Sequence, residues 1–291
     1  MKNIKKEIEN LVVNSLFTKK GEKMSLSRAL TAIIGLPVVA LVLIKGNNLI
    51  ISILMLLATF RCLYEYKSCA KEKYTIISWI GYIMAIYLAF MSYIPSEITG
   101  MINVIGIPLI MMILFIHSIL TDMKITFADV AFSMFGILYF VLFTSFISRI
   151  YAMEMGKILI WYLMIISWGS DIVAYLIGRN FGKHKFSKVS PNKTIEGCTA
   201  GVVGAIAFSL IYTYFINTYS DIYINYIVIG WISTILCVIG QLGDFAASVI
   251  KRHLEVKDYS NIFPGHGGMV DRLDSVIAIA PFAYILFMIL V

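Results

Sequence analysis

Charge is scarce in this sequence. Asp, Glu, Lys and Arg make up 14% of its 291 residues, against about 25% in an average soluble domain. Hydrophobic residues account for 59%, and the mean hydropathy is +0.85. So little charge cannot cover the surface of a water-soluble domain, and the composition is that of a membrane protein. Cysteine is also sparse. Cys62, Cys69, Cys198 and Cys237 form no CxxC pair, which leaves them as small packing residues rather than a redox or zinc motif. No GxxxxGK[ST] stretch is present, so a P-loop is excluded. The first apolar run starts only near Ala29, after a long polar lead, which reads as a retained span and not a cleavable signal. The net charge of +7 would suggest nucleic acid in a soluble protein. Here no nucleic-acid partner is expected, and the sidedness of the charge carries the information.

Apolar runs are what the sequence has in abundance. Nine are visible, at about 29–44, 49–65, 75–94, 101–120, 125–147, 157–177, 198–217, 224–249 and 273–291. Most approach the ~20 residues that cross about 30 Å of hydrocarbon. Backbone polar groups in lipid must satisfy one another, so these runs are expected to be helices. The expected fold is an all-α integral membrane protein with about nine transmembrane helices. With the N-terminus in the cytoplasm, all of the 24 Lys and Arg except Lys45, Arg149 and Lys157 fall on the inner side, as the positive-inside rule requires. An even number of spans would spoil that division, and an odd number puts the C-terminus outside. Three regions follow: a basic amphipathic segment over 1–28, transmembrane helices over 29–160, and a C-terminal region over 161–291. In the first, Ile4, Ile8, Leu11, Val12 and Leu16 share a helical face that suits an anionic leaflet as well as a polar tail would suit solvent.

Polarity returns in two loops on the inner side, 178–197 and 250–272. Acids inside apolar runs point the same way, because a carboxylate at the centre of a bilayer costs about 2.5–3.5 kcal/mol on insertion scales. Asp171 and Asp244 are such acids and lie toward the inner ends of their runs. Asp129, near Lys124, reads instead as a solvated acid at the interface. Asp271, Asp274 and Ser275 share a face if a helix begins there. The stretch Pro264-Gly265-His266-Gly267-Gly268 precedes them, and its glycines let a backbone approach a ligand closely. His266 has no second His at a metal spacing, so a phosphate-donor or structural role fits it. Carboxylates, a Gly-rich loop and many cations at one membrane face suggest metal-assisted phosphoryl or nucleotidyl transfer onto a lipid-soluble substrate.

The residues then become recognisable. "SVIKRHLEVKDYSNIFPGHGGMVDRLD", Ser248 to Asp274, together with "GQLGD" over 240–244 and "SDIVAYLIGRNFGKHKFSKVSPNKTIEG" over 170–197, resembles the hallmark motifs of the CDP-diacylglycerol synthases, or phosphatidate cytidylyltransferases. The likeness covers about the last 120 residues; residues 1–160 match only in being multispanning. Ile172 stands where bacterial relatives usually have Thr, and Ala247 where many have Glu.

The resemblance implies the reaction CTP + phosphatidate → CDP-diacylglycerol + pyrophosphate, in phospholipid biosynthesis at a bacterial inner membrane, with the site facing the cytoplasm. It also implies Mg²⁺, with room for a second cation, and a homodimer. By resemblance, Asp244 and Asp271 carry the metal centre, with Asp171 as a further ligand or a nucleotide contact, and Lys251 and Arg252 act in catalysis. Lys193, Ser190, Ser248, Lys257, Asp258 and His266 would contact the substrates. Gly267 and Gly268 would offer N–H groups, and Arg272 and Asp274 would hold the loop or a phosphate. Two rivals stand beside this reading. A CTP-dependent polyprenol or phytol kinase would move the terminal phosphoryl group, and a transporter would spread polar residues through the midplane. A reporter fused after Val291 is expected outside the cell; a cytoplasmic signal would refute the nine-span topology.

Overall fold

In the computed structural model, residues 26–187, 189–263 and 267–290 are described. The amphipathic segment expected over the first 23 residues, and His266 with it, lie outside them. The described residues form nine helices, one for each apolar run. They are α1 (Leu26–Lys45), α2 (Asn48–Ala70), α3 (Trp79–Phe90, continued by a 3₁₀ turn at Met91–Tyr93), α4 (Ser96–Leu120), α5 (Phe127–Tyr151), α6 (Gly156–Phe181), α7 (Ile195–Tyr219), α8 (Tyr226–His253) and α9 (Val270–Phe287). No strand forms among them, only the isolated bridges Lys185–Thr194 and Phe263–Gly267.

Six of the nine, α2, α4, α5, α6, α7 and α8, are long and apolar enough to cross a membrane, which makes the chain an integral membrane protein. The expected nine crossings are thus matched by six on length and composition. α3 with its 3₁₀ turn is too short, and α9 carries Asp271, Arg272 and Asp274 in its first turns.

α3 is shorter than its run for a local reason. Residues 74–78 are not helical, and they hang on side chains of α5. Thr75 N donates to Asp129 Oδ1 at 2.6 Å, and Ile77 N donates to Ser133 Oγ at 2.8 Å. Asp129 is therefore no solvated acid. It is 6% exposed and closes a capping box with Thr126 at the start of α5, where donors and the helix dipole stabilise its charge. α5 and α6 each contain one wider π turn, at Ile137–Leu142 and Ile165–Gly169.

Small residues set the helix crossings. Without water to squeeze out, helices in lipid associate by close packing, which small side chains permit. α7 lies on α6 through Gly197, Gly201 and Gly204; a Cβ at Gly204 would come within 2.6 Å of Val173 Cγ2. α8 lies on α9 through Gly240 and Gly243, and a Cβ at Gly243 would collide with that of Ala278. Gln241 Nε2 ties α8 to α7 by donating to the Cys198 carbonyl at 2.9 Å. Tyr66, Phe140, Tyr162 and Phe287 fill the interior. The cysteines behave as packing residues, with Cys62, Cys198 and Cys237 buried and unpaired.

Gly243→Ala is expected to force α8 off α9. Overpacking of this kind costs about 1–3 kcal/mol. It should lower the thermal midpoint of the detergent-solubilised protein, and an unchanged midpoint would contradict this contact.

Candidate functional site

The polar loops flank the same end of the bundle. The first folds back on itself between α6 and α7. Phe186 N donates to the Lys193 carbonyl at 3.0 Å, and Ile195 N to the His184 carbonyl at 2.9 Å. His184 Nδ1 lies 2.6 Å from Glu196 Oε1. Thr194 caps α7, its Oγ1 accepting from Gly197 N at 3.1 Å. Two glycines make this elbow possible: a Cβ at Gly178 would lie 2.9 Å from Thr194 Oγ1 and 3.3 Å from Gly197 Cα.

The fold of the loop leaves a cavity of about 590 Å³. Asp171, Arg179, Lys185, Ser190, Lys193 and Asp244 are among the residues that line it. The volume falls within the usual range for small-molecule sites, about 300–1,000 Å³. The Lys193 ammonium pairs with Asp244 and sits 4.6 Å above the Phe245 ring. Phe186 stacks on the same ring, with 4.7 Å between centroids. Asp171 stands ten residues before the end of α6 and Asp244 nine before the end of α8. At 1.5 Å per residue both are about 13–15 Å along the helix from the loop end, so the two acids meet at similar depth.

The second loop is built around Asp271. Its side chain is only 5% exposed, and protein donors fill it. Oδ1 accepts from Lys251 Nζ at 2.7 Å, and Oδ2 accepts from the backbone N–H of Tyr259 at 2.8 Å and of Gly268 at 2.9 Å. Gly267 takes φ +80° to bring that N–H round, a left-handed backbone that glycine adopts without penalty. Tyr259 is buried, and burial raises its phenol far above the ordinary range, so the hydroxyl stays neutral.

Asp271, expected beside Asp244, is occupied by three donors, and a cation would have to displace Lys251 to bind there. Asp171 and Asp274 both feel the charge of Asp244. The charge of Arg272 reaches Asp171, and that of Lys251 reaches Asp274. Arg252, Lys257 and Asp258 are exposed and make no side-chain hydrogen bond or ion pair among the described residues. Ser248 is half-buried on α8. Ala247 is fully buried, its carbonyl receiving the Tyr259 hydroxyl at 3.4 Å, and Ile172 is exposed.

A cation fits this chemistry. Three carboxylates offer hard oxygens, and Mg²⁺ typically takes one or two of them plus substrate phosphates rather than a cage made wholly of protein. Among the described residues no group of three or more His, Cys, Asp or Glu could hold a metal ion without further ligands.

The chain matches the model of the Cytidylyltransferase family over residues 26–290. It belongs to that family. Among curated relatives it is similar to the phosphatidate cytidylyltransferase of Bacillus subtilis, 33% identical over 266 residues, which cover 89% of this chain and 96% of that one. It is also similar to the proteins of the same name from Staphylococcus epidermidis, 32% identical over 260 residues, and Staphylococcus aureus, 33% identical over 264 residues, each covering 89% of this chain and 97% of the other. The likeness thus extends through the N-terminal half, where the motifs gave no hold.

The N-terminal half reaches this second loop through Glu65, which motif reading missed. Glu65 stands on α2, is 1% exposed, and reaches into the α8–α9 loop. It accepts from Arg61 Nε at 2.9 Å, Ser260 Oγ at 2.7 Å, and the N–H groups of Met269 and Val270 at 3.0 Å each. The last two open α9, where N–H groups lack helical partners and favour an anion. A Cβ at Gly268 would strike this carboxylate. The available signal was an acid closing an apolar run with Arg four residues before it.

Glu65→Gln keeps the shape but removes the charge and puts an amide N–H₂ against backbone donors. A hydrogen bond to a charged group is worth about 1.5–3 kcal/mol. Nucleotide transfer in membranes should fall at least about tenfold, the rate equivalent of the lower figure, with the protein still inserted. Unchanged turnover would show that the contact does not position the loop.

Proposed function

We infer that this chain is a phosphatidate cytidylyltransferase, joining CTP to phosphatidate to give CDP-diacylglycerol and pyrophosphate. The observation that carries the reading is the Lys193–Asp244 pair in a cavity at one end of a helical membrane bundle, in a chain of this family matched over almost its whole length. A water-soluble triphosphate and a lipid phosphate need such a place, cationic at its wall and reachable from the bilayer.

The remaining assignments are proposals. The nine apolar runs make nine crossings, α3 spanning only together with the non-helical residues 74–78 before it, with the N-terminus in the cytoplasm and the C-terminus outside. Lysine and arginine then concentrate on the side of the two loops, and the site opens to the cytoplasm of a bacterial inner membrane. Asp244, with Asp274 and Asp171, holds Mg²⁺; Asp271 joins them only where Lys251 moves away.

The chemistry asks little of a general base. Phosphatidate is a phosphate monoester whose second pKa is about 6, so it is largely dianionic at neutral pH. One of its oxygens attacks the α-phosphorus of CTP, a P–O bond forms, and the bond to the β-phosphate breaks to release pyrophosphate. The barrier is the approach of two anions and the charge left on the leaving group. When bound, the metal neutralises charge on the phosphates. Lys193, already paired to Asp244, is placed to turn its ammonium to the triphosphate. Ser190, Lys185 and Arg179 line the same wall and can donate to phosphate or ribose oxygens.

Membranes holding the protein, given phosphatidate, Mg²⁺ and CTP labelled at the α-phosphate, should yield labelled lipid, and γ-label should leave with pyrophosphate. γ-Label in the lipid would identify a lipid kinase instead. Asp244→Asn should nearly abolish transfer while membrane insertion persists; near-normal turnover would remove Asp244 from the site.

A further inference from the structure

Tyr139 enters the site from the half of the chain that carries no motif. It lies in the π turn of α5, where one extra residue widens the helix and redirects side chains; such turns recur at functional sites. Its ring is clamped by three aromatic neighbours. It stacks on Phe135 at 5.4 Å and 12°, meets Phe140 edge-on at 5.1 Å, and lies 5.6 Å from Phe143. The residue is 9% exposed.

Its hydroxyl is the anomaly. It is fully buried and has no hydrogen-bond partner. Leaving a buried donor unmatched costs about 1–3 kcal/mol, and such a group calls for an explanation. Phenylalanine would fill the same space with no stranded oxygen. The charges that reach this hydroxyl are those of Asp274 first and Asp244 second. The neighbouring phenol, Tyr259, has its own acceptor in the Ala247 carbonyl, so it does not compete. α5 packs directly on α9, the helix that carries Asp274.

We propose that Tyr139 is a positioning residue for the acidic cluster: its hydroxyl donates to Asp274 when the carboxylates close on a divalent cation, and fixes that carboxylate's orientation. The proposal rests on the assignment of Asp274 and Asp244 to the cation. Partners that orient a ligating carboxylate in this way affect metal affinity about 10–100-fold. Tyr139 thereby gives the N-terminal half a direct part in the site, beside the Glu65 clamp.

The test is Mn²⁺ binding, followed by electron paramagnetic resonance on the purified full chain with a non-hydrolysable CTP analogue and no lipid, against the same mixture without protein. Tyr139→Phe should weaken binding about tenfold or more and raise the Mg²⁺ concentration for half-maximal transfer, without lowering the thermal midpoint. Against an Asp274→Asn background the same substitution should have no effect. Unchanged Mn²⁺ affinity in the single variant, or an equal loss in both backgrounds, would overturn the proposal. Should the Phe variant not fold, 3-fluorotyrosine at position 139 keeps the hydroxyl. Its ¹⁹F resonance should move on addition of Mg²⁺, and a resonance that stays in place overturns the proposal. α-Label transfer by the unaltered protein tests the cytidylyltransferase reading separately, so failure of one is distinguishable from failure of the other.

Discussion

The Asp271 carboxylate is the knot on which the site depends. It binds the last turns of α8 through Lys251, the following loop through Tyr259 N–H, and the glycine bend through Gly268 N–H. A carboxylate this buried must recover in hydrogen bonds and opposite charge what it loses in hydration. The loop has little regular structure of its own, and its path follows from that requirement. Glu65 does the same from α2, collecting Arg61, Ser260 and the first N–H groups of α9. Two buried acids thus shape one loop from opposite sides.

This arrangement divides the acids into two kinds. Glu65, Asp129 and Asp271 are saturated by donors close at hand and are structural anchors. Asp171, Asp244 and Asp274 answer mainly to one another and to Lys193, Lys251 and Arg272. Like charges at close quarters are stable only when cations neutralise them, and lysine ammonium groups serve that purpose here.

Much of this was legible beforehand. Each apolar run became a helix, because in hydrocarbon the backbone has no other way to satisfy its polar groups. Asp171, Asp244, Lys193 and Ser190 were marked by intramembrane acids and by motif spacing, and they line one cavity. The errors were of one type. Asp129 looked solvated because its donors, Thr75 and Thr126, are not cations and leave no charge pattern to read. Residues 75–78 looked helical because they are apolar, yet their N–H groups are met by Asp129 and Ser133 on another helix. Glu65 went unnoticed because its partners lie about 200 residues away.

Sequence alone determined which segments enter the membrane, which family the motifs resemble, and which residue types gather at one face. These depend on composition and short-range spacing, and both are written along the chain. Tertiary structure decided which acid pairs with which cation, that Asp271 is taken up by Lys251 and two backbone N–H groups, and that Glu65 reaches the same loop from the N-terminal half. Those outcomes depend on distances between helices remote in sequence. Such distances are set by glycine contacts such as Gly243 on Ala278, and by buried hydrogen bonds whose two ends carry no common signature in the chain.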